Sequence, residues 1–524
     1  MKYIKHPLIN ISLCAALFLC GGCGSEYEPD NGSIGTGSMN PVPLIIHATA
    51  SGFGGLPAAM PSSTRTPVAP PVTRTPTEDG LETQFNAGDA IGIFAIKDGK
   101  IVDGISNTKL TYTIDASGAG SWNPPTGSEL YWYEGVGYVA YYPYKDGITI
   151  DATQTTDNII ASLAAHASLQ PGTDQATADK YTACDLMTAT GTPVSDGTDE
   201  SKKILNLDLK HQHALLVLKV HTLAPYKTSS GYIYYPPASD ANLDAAATGL
   251  ELDGVPVLRT GDGNFRIIMK PTAAATSYNG TYVSDGRRCS FQITTAASGY
   301  ASGTCYTVWI NTQLPDEAST TTTRELALGD FYYQDGSILP GDSGYQESAG
   351  NLCIGVVFYA GVGSSDSAGN YDGKLTGIHG YVLARNYATA SWGDSSKQWA
   401  SGNTSGFVGY TDCKKMKEAI ESDGKSFPSY SYCASFTPAP TTGITSGWYF
   451  PSFAQVSNYI PNASRLAAYL TQIPGGSDIG HHYHSSSTES GSGNTYLKSR
   501  DEPSKYWVGN KGDGSYQVRA VLTF

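Results

Sequence analysis

The 524-residue sequence carries 33 Lys and Arg against 47 Asp and Glu, a formal net charge of −14, and charged residues make up only 15% of it. An acidic chain without a clustered basic face excludes nucleic acid and anionic membrane surfaces as partners. Its 59 Gly and 35 Tyr, with aromatics at 11%, are the composition of turn-rich β sheets exposed to solvent.

Lys2 and Lys5 precede an apolar run from Leu8 through Leu19 that ends in Cys20-Gly21-Gly22-Cys23. That is the layout of a secretory signal, too short to span a bilayer as a mature helix. Two small glycines before Cys23 fit a lipoprotein cleavage site, although Cys20 stands where Leu is usual. Residues 1–22 are thus expected to be a signal peptide and Cys23 the acylated N-terminus. The membrane is then reached through that lipid alone. The expected location is the outer membrane and cell surface.

Residues 23–42 are a Gly/Ser/Pro tether. Pro43 to Ala50 reads as a first strand, and Pro57 to Thr77 as a proline-stiffened linker holding Thr64-Arg65-Thr66-Pro67 and Thr73-Arg74-Thr75-Pro76. Proline cannot donate to a ladder, so the linker stays open and Arg65 and Arg74 are expected to be protease-sensitive. Short alternating runs follow at Phe85 to Ala95, Leu130 to Tyr133 and Tyr138 to Tyr144, with no sustained helical period. They predict an N-terminal β-sandwich over 43–200. Leu205, Leu207 and Leu209 alternate into a core and open a second sandwich over 201–345, with strands at Phe265 to Met269, Ser290 to Ile293 and Tyr306 to Asn311. From 346 to 524 helical patterns appear at Asp412 to Ile420 and at Ser452 to Ile460, where Ser452 is the N-cap. Tyr516 to Phe524 closes an α+β domain as an alternating strand. The fold class is mainly β.

Six cysteines follow Cys23. An even count in an extracellular setting allows disulfides, with Cys289 and Cys305 around a hairpin and Cys413 and Cys433 around a short loop as candidate pairs. Free thiols buried as small hydrophobes are the competing reading. None has the Cys-x-x-Cys spacing of a zinc site. His481-His482-x-His484 reads as a solvated loop, Asp366-x-x-x-Asn370-x-Asp372 as a turn, and Glu502-Pro503-Ser504 as coincidence with sugar-binding calcium sites. His211 and His213 face one side of a strand and read as structural. No nucleophile elbow or phosphate-cradling loop is present, so no metal, cofactor or catalytic residue is assigned. Trp392, Trp399, Tyr506 and Trp507 lie among Gly, Ser and Lys, and are the candidate aromatics for contacting a glycan or a protein.

The lipoprotein start, the early strand with its Arg-bearing linker, the Phe85 to Ala95 stretch and Lys210-His211-Gln212-His213-Ala214-Leu215 together resemble the fimbrillin-family pilins, over roughly residues 44 to 345. The resemblance implies two tandem transthyretin-like β-sandwiches. It also implies cleavage after Arg65 or Arg74, removal of residues 43–52, and refilling of the groove by a strand from another pilin subunit. Residues 350 to 524 resemble C-type-lectin-like domains related to sulfatase-modifying factors, through Gly447-Trp448-Tyr449-Phe450-Pro451-Ser452, Ser485 to Glu489 and Val518-Arg519-Ala520-Val521. Their oxidase thiols lie downstream of that helix, where this chain has no cysteine. The combined expectation is a tip or minor fimbrial subunit, structural and adhesive. A non-polymerising surface glycan-binding lipoprotein is the first rival, and an enzyme working through the C-terminal domain the second.

Overall fold

A computed structural model describes residues 42–54, 77–79, 81–102, 104–197, 199, 201–348 and 350–524. Cys23, Arg65 and Arg74 lie outside the described residues. Among the described residues strand outweighs helix about two to one.

The first core is enclosed by a ten-stranded sheet. Its main strands are β1 (Val42–Ala50), β2 (Ala90–Lys97), β3 (Thr108–Ile114), β4 (Gly120–Asn123), β5 (Tyr131–Trp132), β6 (Gly137–Tyr142), β7 (Met187–Gly191) and β8 (Lys203–His211). They run in the order β4-β3-β2-β6-β7-β8-β1-β5. The sheet curls until its two ends face each other, and the indole Nε1 of Trp122 on β4 donates to the Ala48 carbonyl on β1 at 3.0 Å. Every second residue points inward: Leu44, Ile46 and Ala48 from β1, Ile91, Ile93 and Ala95 from β2, and Leu205, Leu207 and Leu209 from β8. The outer face of β2 and β6 is covered too. Helix α1 (Thr156–Ala165), capped by the Thr155 side chain, lays Ile159 and Leu163 on Phe94, Val139 and Tyr141. Burial on both faces explains why β2 and β6 are nearly continuous apolar runs rather than alternating ones.

Only Gln212 and His213 separate β8 from β9 (Ala214–Leu223), which enters a second core. There β9 pairs with β11 (Phe265–Met269) and, in parallel, with β14 (Cys305–Gln313) over nine residues from Leu215↔Cys305 to Leu223↔Gln313. β10 (Thr248–Leu252), β12 (Ser277–Ser284) and β13 (Arg287–Thr294) form the facing sheet. β12 and β13 are joined by Asp285-Gly286, both at positive φ, the two-residue turn whose twist matches a hairpin. Cys289 belongs to this core, whereas Cys305 packs against a different cluster near Phe53.

The third core begins earlier than its sequence predicts. β15 (Phe331–Tyr333) and the short strand Ile338–Leu339 fall in the stretch assigned above to the second sandwich, yet they pair into the next sheet, beside β16 (Cys353–Ala360) and β17 (Gly380–Ala384). Phe331, Tyr332 and Tyr333 are all buried there, so a core on both sides of the strand claims it. Helices α2 (Gly409–Asp423), α3 (Pro428–Ala434), α4 (Phe453–Tyr459) and α5 (Ala463–Leu470) follow. A second sheet contains β18 (Tyr483–Glu489), β19 (Asn494–Ser499), β20 (Trp507–Asn510) and β21 (Gln517–Val518), and β22 (Val521–Thr523) returns to pair with β17. The Ser452 cap stands as the sequence predicts, with Gln455 completing a capping box. In the segment leading into the third core, Arg324 makes a bidentate pair with the buried Asp330, at 2.7 and 2.8 Å, and donates to the Tyr234 hydroxyl. Beside it the Tyr232 ring stacks on His379 at 3.8 Å.

All six described cysteines are free thiols, so the candidate pairs Cys289–Cys305 and Cys413–Cys433 are not bridged. The first two sit in separate clusters. The second two occur on helices in one apolar core, where burial pushes both thiols well above their usual range. Among the described residues no helix is long and apolar enough to cross a membrane.

Asp89, at the mouth of β2, offers a check on this packing. It is 4% exposed, accepts the Asn86 N–H at 2.6 Å, and burial pushes its carboxyl up to about 7. The folded state then holds a proton that the unfolded chain releases near pH 4, so stability falls as pH rises from about 4 to about 7. Asp89→Asn should remove that slope. Urea unfolding of both proteins across this range, compared as a difference, isolates it.

Candidate functional site

β1 is the strand whose chemistry differs from that of its neighbours. It is parallel to β8 across seven partners, from Leu44↔Lys203 to Ala50↔Leu209. On its other side it touches β5 only at Val42 and Pro43, plus one bond from Leu44 N–H to the Leu130 carbonyl. Leu44, Ile46 and Ala48 drop into the first core, while His47 is exposed. Burying a Leu or Ile side chain stabilises by about 2 kcal/mol, so the strand is held by a few apolar pegs and one backbone ladder. Without it, β8 would present seven residues' worth of unpaired edge above an apolar slot. The strand at 43–52 that the sequence predicts is therefore an integral element, starting at Val42 and hydrogen-bonded as far as Ser51, whose N–H donates to the Leu209 carbonyl.

The four candidate contact aromatics have separate fates. Trp392 is fully buried; its Nε1 donates to the Ser486 carbonyl at 2.9 Å and its ring meets Phe427 edge-on at 5.4 Å. It is a core residue and no ligand contact, because the Gly/Ser texture around it reflects turns that wrap the ring. Trp399 is half-buried, with Lys397 over its face at 4.0 Å and its indole N–H on Asp394. Trp507, also half-buried, meets Tyr483 edge-on at 5.0 Å. Tyr506 alone of the four is open, at 61% exposure, leaning on Phe453 and Tyr496. The edge strand β20 thus has two aromatic pairs on alternate faces, Tyr483 with Trp507 and Tyr496 with the open Tyr506, and Val508 is exposed.

Two features escape sequence reasoning. Glu489 and Lys511, both with fully buried side chains, form an ion pair; Glu489 also accepts the backbone N–H groups of Trp399 and Ala400, and Lys511 lies 4.3 Å over the Trp392 ring. Burial raises the Glu489 carboxyl and the lysine opposes it. No spacing rule links residues so far apart on different strands. Asp412 is the other hidden acid. It accepts from Ser401 and Ser487, and burial lifts its carboxyl to about 6. Each of these acids is satisfied by fixed donors on several elements, the arrangement of a structural network.

The remaining polar motifs stay apart. His484 is buried and its Nε2 donates to the Gly480 carbonyl, while His481 and His482 are exposed and His481 pairs with Asp501. Asp366 accepts from Tyr371, Tyr381 and Asn370. Asp372 sits at φ 56° as a turn residue. His211 and His213 are both buried, His211 against Asp185 at 2.8 Å.

Comparison with known proteins adds three findings. Residues 73–324 match a family model described as fimbrillin-like. The chain is 25% identical, over 86% of its own length and 86% of the relative's, to a Bacteroides ovatus protein with the provisional name fimbrium tip subunit Fim1C. Among solved structures, a fimbrial protein from Bacteroides ovatus is 21% identical, covering 93% of this chain and 100% of its own, with a TM-score of 0.36. The fimbrial anchor protein Mfa2 from Porphyromonas gingivalis is 12% identical, covering 48% and 82%, with a TM-score of 0.19. TM-scores of this size establish no shared arrangement.

The alternation along β1 makes a sharp contrast between neighbours. Ile46→Ala should destabilise the protein by about 2–5 kcal/mol, through lost burial and the cavity left behind. His47→Ala should change it by no more than about 0.5 kcal/mol. Denaturant midpoints of the two variants measure the difference.

Proposed function

We propose that this chain, whose residues 73–324 carry a fimbrillin-like region, is a structural and adhesive subunit of a cell-surface fimbrium, occupying its tip or a minor position. The observation that carries the reading is β1: a leading strand set parallel against β8, closing the first core and joined to the body only through the proline-rich segment. The relative named as a fimbrium tip subunit supports the same placement.

In this reading Cys23 bears the lipid that delivers the precursor to the outer membrane, and Arg65 or Arg74 is cut once it arrives. Residues 43–52 then leave, and a strand from another pilin subunit takes their place, since an apolar slot beside an unpaired edge is a receptor for an added strand. The first two cores act as transthyretin-like sandwiches. The region from about 346 onward acts as a C-type-lectin-like recognition module and presents the surface around Tyr506 to a host or bacterial glycan or protein. No catalytic step is assigned.

A non-polymerising, glycan-binding lipoprotein is the competing reading, favoured by the complete seating of β1. N-terminal sequencing of the chain recovered from isolated fimbriae separates the two. Thr66 or Thr75 at the new N-terminus is the expected result, and an uncut chain carrying Cys23 would refute processing. For the recognition surface, Tyr506→Ala should leave folding stability within about 0.5 kcal/mol of the parent. It should weaken adhesion of fimbriated cells, scored beside cells with the parent fimbriae.

A further inference from the structure

β1 does not end its work at Ala50. The next residues cross from the first core to the second. Phe53 is 4% exposed and its ring stacks on His211 at 3.6 Å, with the two planes 17° from parallel. Around it lie Tyr181, Cys184, Leu215, Val217 and Ile268, so the ring plugs an apolar pocket built by both sandwiches. His211 is braced for this contact, because Asp185 holds its Nδ1 at 2.8 Å and Thr83 lies 3.4 Å from its Nε2. The backbone is gripped at the same point. Phe53 N–H donates to the Leu81 carbonyl, Gly54 N–H to the Gly303 carbonyl, and Cys305 N–H to the Gly54 carbonyl. Gly52 passes so close to Leu81 that a Cβ there would stand 2.7 Å from its carbonyl oxygen.

We propose that this pocket is a selectivity site for the strand that completes the first sandwich: the occupant must carry a glycine at the Gly52 position and an aromatic ring at the Phe53 position, after apolar residues at 44, 46 and 48. The inference rests on the strand-exchange reading above and goes further, by stating which strand is accepted. Every pocket residue lies after the linker, so the pocket remains with the body when the leading segment departs. Loss of the segment opens an apolar hole between the two sandwiches as well as the groove along β8. A replacement strand with the right alternation but no ring fills only the groove, and leaves the His211 face and the Ile268 side of the hole wet. A residue with a side chain at the Gly52 position pushes the backbone off the Leu81 carbonyl and pulls the ring out of register. The chemical class of the partner is therefore an extended, uncharged, alternating β-segment ending in a Gly-aromatic pair, supplied by another pilin subunit.

The test uses the full-length protein nicked by limited trypsin between residues 55 and 76, and synthetic fluorescent peptides spanning residues 42–54. Anisotropy reports uptake of the peptide as the resident segment leaves. The parent peptide should enter. The Phe53→Ala peptide should bind on the order of a hundredfold more weakly, and Phe53→Leu should fall between them. Gly52→Val should lose a similar factor to Phe53→Ala, and Ile46→Asp should fail to enter. Equal affinity of the parent and Phe53→Ala peptides overturns the pocket while leaving strand exchange intact. A nicked protein that admits no peptide at all, the parent included, overturns the exchange reading and this inference with it.

Discussion

The parallel ladder between β1 and β8 is the contact on which the first half of the molecule depends. It supplies partners for an otherwise open edge and places Leu44, Ile46 and Ala48 under the curled sheet, where Trp122 reaches across to the Ala48 carbonyl. Parallel pairing needs a long crossover, because a tight hairpin returns the chain antiparallel. The chain uses the residues from 51 to 202 for that crossover, so the first strand is separated in sequence from the one it pairs with. Such a strand is the element most easily replaced: one connection ties it to the body, and along Val42–Ala50 its contacts are a backbone ladder and three apolar side chains.

The two downstream cores are tied to the first by small, well-satisfied contacts rather than by long linkers. Gln212 and His213 alone bridge β8 and β9. Arg324 and Asp330 then brace the segment by which the chain enters the third core. The third core differs in character. Its interior carries Glu489 with Lys511, and Asp412 with two serines. Replacing such groups singly leaves a buried charge or acceptor unpaired, which costs several kcal/mol. Polar interiors of this kind tie several elements into one network of fixed donors and acceptors.

Much of this was legible from residue order, and the failures have physical causes. The alternation in Leu205-Asn206-Leu207-Asp208-Leu209 and in Pro43 to Ala50 has the period of a half-buried strand and the structure follows it. The Ser452 cap was visible because a serine three residues before Gln455 has a local mechanism. Phe331–Leu339 pairs into the third core's sheet rather than the second's, since a strand's pattern says that it is buried but not which sheet takes it. The glycine and serines beside Trp392 have the texture of a loop, and its burial comes from Ser486 on β18 and from Phe427, both distant in sequence. The cysteines were open to pairing on count alone; only the three-dimensional packing separates Cys289 from Cys305. Phe53 carries no local signal. A single aromatic between two glycines has no periodicity, and its partner His211 is far along the chain.

The direction of the ladder between β9 and β14 has a mechanical consequence. The second core is entered at Ala214 and left after Gln313, and these two ends belong to adjacent parallel strands. Tension applied along the chain therefore drags the two strands past each other lengthwise. Their nine-residue register is loaded all at once, and cannot be peeled open one bond at a time. A body that must stay folded while flow pulls on it from both ends resists best in that geometry, and here the resistance follows from strand direction alone.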